Sequence, residues 1–146
     1  FLLRADAYDR QVMAAATGSI ASGHIRFTGI RSDIPQVLAA SDVVAFPSVV
    51  PHFARPVIEA GAMAKPVVAS RVGGPLELVQ DGLTGLLVPP SDPAALAEAV
   101  IALLKDPVRA KSLGEAGYAQ AKEKFEAATN AKKTFAVYEE ILNQDV

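Results

Sequence analysis

The feature that most restricts this chain is an alternation. Aliphatic runs of roughly four or five residues, bounded by glycine or proline, take turns with longer segments of 3.6-residue periodicity. Ile25 to Thr28, Val43 to Phe46, Pro66 to Ser70 and Gly85 to Val88 are the strand-length runs. A strand buried on both faces reads as an unbroken apolar run, and a parallel successor needs a crossover that a helix supplies. The pattern therefore predicts the α/β class, with a parallel sheet covered by helices on both faces.

The helices follow from their punctuation. A segment from about Tyr8 to Ala16 reads as a helix broken at Gly18, after a strand remnant at residues 1–4. Asp33 can cap a short helix with Pro35 in its first turn. Pro56 to Met63 is helical, and Val57, Ala60, Gly61 and Ala64 give it a small face for close approach to the sheet. Gly73-Gly74 opens a short helix from Pro75 to Val79, and Asp81-Gly82 ends it in a turn. Asp92-Pro93 and Asp106-Pro107 are each an N-cap followed by proline at the first helical position, so two helices run in series. Leu96, Val100, Leu103 and Leu104 form the apolar stripe of the first. A last helix, about Thr129 to Leu142, carries Ala131, Phe135, Tyr138 and Leu142 at helical spacing. No repeat or linker divides the chain, so residues 1–146 are expected to form a single domain. The opening Phe1-Leu2-Leu3 has no initiator methionine, and the expectation is a longer protein cut within an apolar strand.

Composition narrows the function. Hydrophobic residues make up 51% of the chain and aromatics only 6%, which predicts an aliphatic interior and no stacking platform for single-stranded nucleic acid. The 14 basic and 16 acidic residues are scattered, so no basic stripe exists to meet a run of phosphates, and no nucleic-acid partner is expected. With no cysteine, disulfides, thiolate metal sites and cysteine nucleophiles are excluded, which fits a cytoplasmic location. The apolar runs fall well short of the about 20 residues that cross a bilayer, so no transmembrane segment is expected. No His/Asp/Glu cluster has metal-ligand spacing, and neither a Gly-x-Ser-x-Gly elbow nor a Walker loop is present. No metal and no cofactor are expected.

Three segments end predicted strands, where open α/β sheets place their ligand crevices: Gly29 to Asp33, Pro47 to Glu59, and Ser70 to Glu77. Glu59 is the sharpest residue, a carboxylate in the most apolar helical segment, able to accept two hydroxyl hydrogen bonds as a ribose diol requires. A solvent-facing or loop-capping glutamate is the competing reading. Gly73 and Gly74 allow close backbone approach and present amides at a helix start, or they merely form a turn. Glu77 caps or pairs one turn later. Arg31 and Arg55 are candidate anion partners. His24 leads into a strand and reads as structural, whereas His52, in the most loop-like strand-terminal segment, is the candidate catalytic side chain.

In order, these pieces resemble the C-terminal domain of family 4 (group 1) glycosyltransferases over nearly the whole chain. The matching segments are Ile25-Arg26-Phe27-Thr28-Gly29, Asp33-Ile34-Pro35, Ala39-Ala40-Ser41-Asp42-Val43, Phe46-Pro47-Ser48 and Phe53, then Pro56-Val57-Ile58-Glu59-Ala60. Lys65-Pro66-Val67-Val68-Ala69-Ser70, Gly73-Gly74-Pro75-Leu76-Glu77 and Asp81 through Pro89 complete the series. The resemblance implies a Rossmann-like C-terminal half of a two-domain GT-B fold. This half would bind a nucleotide-diphosphate sugar for retaining, metal-independent transfer, and an absent N-terminal half would supply most contacts to an unknown acceptor. It further implies that Glu59 binds the donor ribose, that Ile30 and Arg31 lie near the base, and that the backbone of Phe53, Ala54, Arg55, Pro56 and Val57 lies near the diphosphate and sugar. Peripheral association with the cytoplasmic face of a membrane, through the other half, is compatible with it.

Two departures touch the chemistry. The family commonly carries two glutamates flanking seven residues, but the position eight before Glu59 is Pro51, whose side chain neither accepts a proton nor holds a hydroxyl. Ala54 stands where glycine is common, adding a Cβ where backbone approaches the donor. An active transferase in which His52 or a backbone group takes over the sugar contact is the favoured expectation. A degenerate nucleotide-binding or structural half, and a sugar-nucleotide epimerase of related architecture, are the alternatives.

Overall fold

The computed structural model describes residues 7–144. The strand expected at residues 1–4 lies outside them. The chain divides into two compact units, Phe1–Ser32 and Asp33–Val146.

In the first unit, α1 (Ala7–Ala15) is followed by α2 (Thr17–Ala21). The interruption falls at Ala16, and helical backbone continues through Gly18, which an isolated glycine permits at a cost of about 1 kcal/mol. The chain then turns at Gly23, whose φ of +77° suits glycine. Ile25 to Thr28 is not a strand: among the described residues it has no ladder partner, and an alternating sequence sets only an extended backbone until another strand takes its hydrogen bonds. His24 accordingly leads into no strand; its Nδ1 lies 2.7 Å from Ser22 Oγ.

The second unit is built around three parallel strands, β1 (Val44–Phe46), β2 (Val67–Ser70) and β3 (Leu86–Val88), ordered β1-β2-β3. Val44 pairs with Val67 and Val68 with Leu86, which fixes the register. The central strand is buried along its whole length. Its period-2 side chains therefore feed two cores. Val67 and Ala69 join Ala54, Val57, Ala60 and Val79 on one face, while Val68 joins Val88, Leu103 and Leu113 on the other.

Helices supply both covers. α3 (Ile34–Ala39) and α4 (Arg55–Ala62) precede β1 and β2, and α5 (Pro75–Leu78) precedes β3. α6 (Pro93–Lys105), α7 (Pro107–Phe125) and α8 (Ala127–Gln144) follow. The aspartate–proline starts behave as their chemistry requires: Asp92 accepts the Ala95 amide at 2.9 Å and Asp106 the Arg109 amide at 3.0 Å. Asp33 stands at the start of α3 without a side-chain capping bond.

The small face of α4 is split. Val57 and Ala60 pack on the sheet, but Gly61 faces α7, where a Cβ would stand 3.1 Å from the Gly117 carbonyl oxygen. Ala64 is exposed beyond the helix end, at φ +52°. A buried amide links α7 to the segment before β3. Gln120, 8% exposed, donates from Nε2 to the Leu78 carbonyl at 2.8 Å, and Gln80 Nε2 donates to its Oε1 at 3.2 Å.

Candidate functional site

Because the strands are parallel, the loops after Phe46, Ser70 and Val88 share one edge of the sheet. The loop after β1 carries most of the candidate residues. Ser48 Oγ donates to the Val50 carbonyl at 2.8 Å, closing a small turn ahead of Pro51. His52 then sets its ring edge against Phe46, with centroids 5.0 Å apart at 74°. Its Nδ1 accepts the Ala54 amide at 3.3 Å, which assigns the proton of the neutral ring to Nε2. His52 is exposed, and in that tautomer its Nε2–H is a hydrogen-bond donor. Ala54 enters α4 in the left-handed region, φ 59° and ψ 46°, with its methyl buried.

The paired glycines meet this same loop. A Cβ on Gly73 would lie 2.7 Å from Pro51 Cα, and one on Gly74 would lie 2.6 Å from the His52 carbonyl oxygen. The Gly74 amide is not free, because it donates to that carbonyl at 2.9 Å. The glycines thus let backbone approach backbone, and they hold the loops after β1 and β2 together. Glu77 is exposed in α5, and its amide donates to the Gly74 carbonyl at 3.0 Å.

Glu59 lies one turn into α4. It is not sealed in the apolar core: its side chain is 40% exposed, and its Oε1 is 3.4 Å from Arg55 Nε, on a side chain 80% exposed. Such a pair, with arginine preceding glutamate by four, contributes at most a few tenths of a kcal/mol. The carboxylate keeps acceptor capacity for other groups. It sits on a cleft of about 210 Å³ with Ile34, Pro35, Leu38, Ala62 and Met63, so one carboxylate borders an otherwise apolar hollow between α3 and α4.

Other predicted residues distribute as follows. Pro56 is exposed in the first turn of α4, and it has no amide to offer a phosphate. Val57 points into the core, and its amide donates to the Ala54 carbonyl at 3.0 Å. Phe53 is exposed. Ile30 and Arg31 belong to the first unit, where Ile30 is 83% exposed and Gly29 holds φ +65°.

One basic residue at the sheet edge escapes notice in the sequence. Arg71, directly after β2, donates from Nη2 to Asp81 Oδ2 at 2.6 Å and to the Leu87 carbonyl at 3.3 Å. Asp81 Oδ1 accepts the Leu87 amide at 2.9 Å. That amide first, and the Arg71 guanidinium second among the favourable contacts, hold the Asp81 carboxyl below the ordinary aspartate range against partial desolvation. The signal was present, since arginine at a strand end next to a glycine pair invites a search for its partner. No group of three or more His, Cys, Asp and Glu among the described residues could hold a metal ion.

Comparison with known proteins identifies this arrangement. The family model for glycosyl transferases group 1 matches residues 4–106. The chain belongs to the group 1 glycosyltransferases. Within this group it is 41% identical over 114 residues to the alpha-maltose-1-phosphate synthase of Mycolicibacterium smegmatis, covering 74% of this chain and 30% of that protein. It is 35% identical over 122 residues to the D-inositol 3-phosphate glycosyltransferase of Corynebacterium kroppenstedtii, covering 82% and 27%. Among solved structures, Anabaena HepE in complex with UDP superimposes with a TM-score of 0.89 at 30% identity, over 95% of this chain and 38% of that one. Sucrose-phosphate synthase from Thermosynechococcus elongatus gives 0.83 at 32% identity, over 94% and 35%. The chain thus spans about a third of the length of the group 1 relatives it matches. Its fold is the Rossmann-like C-terminal half of the GT-B architecture. No helix among the described residues is long and apolar enough to cross a membrane.

Proposed function

We propose that this chain is the donor-binding half of a glycosyltransferase that moves a sugar from a nucleotide diphosphate to an acceptor with retention of configuration. The observation that carries this reading is Glu59, an accessible carboxylate with one weak partner, bordering an apolar cleft. That combination suits a nucleoside: the diol binds the carboxylate, and the remainder is covered by aliphatic side chains. The likeness to Anabaena HepE, solved with UDP and with UDP-glucose, supports a nucleotide sugar as donor. In this proposal Ile30 and Arg31 serve the base, and the Phe53–Val57 backbone faces the diphosphate and sugar. His52 offers its Nε2–H to a donor hydroxyl in place of the acid missing at Pro51. The loop contact at Gly73 and Gly74 fixes that histidine. No cofactor is required, and the acceptor is bound mainly by the N-terminal half.

A specific observation favours a second reading. Pro51 supplies no acidic side chain, and the Ala54 methyl replaces hydrogen, so the half could bind nucleotide without transfer.

Thermal unfolding of the chain with UDP, GDP and ADP, at about ten times each dissociation constant, tests the donor site. Binding should contribute about 1.4 kcal/mol, raising the melting temperature by about 3 to 5 °C for the cognate nucleotide. Glu59→Gln, which keeps the shape and loses the charge, should abolish most of that shift with little change in the unliganded protein. An undiminished shift in Glu59→Gln would remove Glu59 from the site.

A further inference from the structure

A second hollow opens on the same edge of the sheet, on the α6 side. It is a cleft of about 160 Å³ lined by residues that leave each of the three strands: Pro47 and Val49 after β1, Ser70 at the end of β2, Val88 and Pro89 at the end of β3, and Leu96 of α6. None of these lines the Glu59 cleft. Its walls are mostly hydrocarbon, interrupted by Ser91 and Asp92. Val49 stands 61% exposed beside it, an apolar side chain with nothing covering it in this unit.

The floor differs from the walls. Ser70 is 3% exposed, and among the described residues its hydroxyl makes no hydrogen bond, although buried hydroxyls are normally paired. Because no wholly enclosed polar side-chain atom lacks a partner, the oxygen retains contact with the cleft it lines. Asp92, the only charged residue there, already holds the Ala95 amide at the start of α6. The site therefore offers mainly apolar walls, one uncommitted hydroxyl on its buried floor at Ser70 and a second on the exposed Ser91.

Size decides what fits. A cavity of about 150 Å³ lined by aliphatic side chains accepts a benzene-sized molecule, so a space of this order suits about six heavy atoms. A sugar ring is poorly matched, since its several hydroxyls would be left against prolines and valines at a cost of about 1 to 3 kcal/mol each. We propose that this cleft binds an uncharged alcohol of about six heavy atoms, its hydrocarbon against Pro47, Val49, Pro89 and Leu96 and its oxygen on Ser70 Oγ. On the transferase reading above, and resting on it, this ligand is the hydrocarbon end of the acceptor.

The test is a titration of the ¹⁵N-labelled chain with cyclohexanol, with inositol as the same ring hydroxylated at every carbon, and with UDP in a separate sample. Cyclohexanol should shift the amides of Ser70, Val88 and Ala95 to Leu96, and leave those of Leu38 and Met63 unmoved. Ser70→Ala should weaken it about threefold to tenfold, the loss of one hydrogen bond, with the remaining spectrum unchanged. Ser70→Val, which puts a methyl where the oxygen was, should weaken it at least as much. No saturable shift with cyclohexanol, tighter binding of inositol, or parental cyclohexanol affinity retained in both variants would overturn the proposal. The UDP arm separates the two readings: UDP binding without cyclohexanol binding removes this cleft alone, whereas cyclohexanol binding without UDP binding keeps the cleft and removes its assignment to an acceptor.

Discussion

Ala54 holds left-handed backbone angles with its methyl 1% exposed, so two local terms oppose each other there. The conformation costs a non-glycine residue roughly 1 to 2 kcal/mol, while the buried methyl returns about 0.8 kcal/mol and alanine restrains the unfolded chain. Ala54→Gly should therefore leave stability within about 1 kcal/mol of the parent in urea unfolding. A loss above about 2 kcal/mol would show that the methyl packs far more tightly than its area implies. Asp81 makes the clearest electrostatic prediction. Its folded pKa is depressed below the ordinary value of 3.8, chiefly by the Leu87 amide and then by Arg71. Its contribution is present in full above that ordinary value and is lost as pH falls through the lower folded value. The stability difference between parent and Asp81→Asn should be flat from about pH 5 upward and shrink below about pH 3.8; a difference unchanged down to pH 2 would contradict the assignment. Arg71 was legible as a basic residue at a strand end, but not its partner ten positions on, because that pairing depends on where the turn at Asp81 and Gly82 returns the chain.

At the scale of elements, the strand–helix alternation was legible almost throughout the second unit. Aliphatic runs became β1, β2 and β3 because each contributes side chains that pack against a cover whose own sequence carries a matching apolar face. The aspartate–proline starts of α6 and α7 were equally plain, since an N-cap and the fixed φ of proline act within a few residues. Asp92→Ala and Asp106→Ala should each cost about 1 kcal/mol, lowering the melting temperature by about 3 °C, and the double variant should be close to additive. An unchanged melting temperature in either would mean that tertiary packing alone holds that helix start. Ile25 to Thr28 shows the limit of the same reasoning. Its alternation predicts an extended segment, yet a strand is a property of two segments, and no described segment pairs with it.

At the scale of the whole molecule, Phe135, Tyr138 and Leu142 of α8 are exposed, although their helical spacing was read correctly from the sequence. Periodicity names a face and leaves its partner unspecified. The chain spans about a third of the length of its relatives, and the cleft proposed for a nucleotide is by that proposal one wall of a site that the N-terminal half completes. We predict that the chain alone transfers no sugar, measured as release of free nucleoside diphosphate from UDP-glucose with a panel of alcohol acceptors, while it still binds nucleotide; turnover by residues 1–146 alone would refute this. The fold class, the aspartate caps of α6 and α7 and the family were determined by the sequence, because they rest on composition, spacing and chemistry that act locally or recur in fixed order. Only the tertiary structure decided that Gly73 and Gly74 press on the His52 backbone, that Gly61 meets α7 and not the sheet, and that Ser70 keeps an unpaired hydroxyl under apolar walls. Those facts depend on which distant backbones come within van der Waals distance, and close packing settles that for the folded chain as a whole.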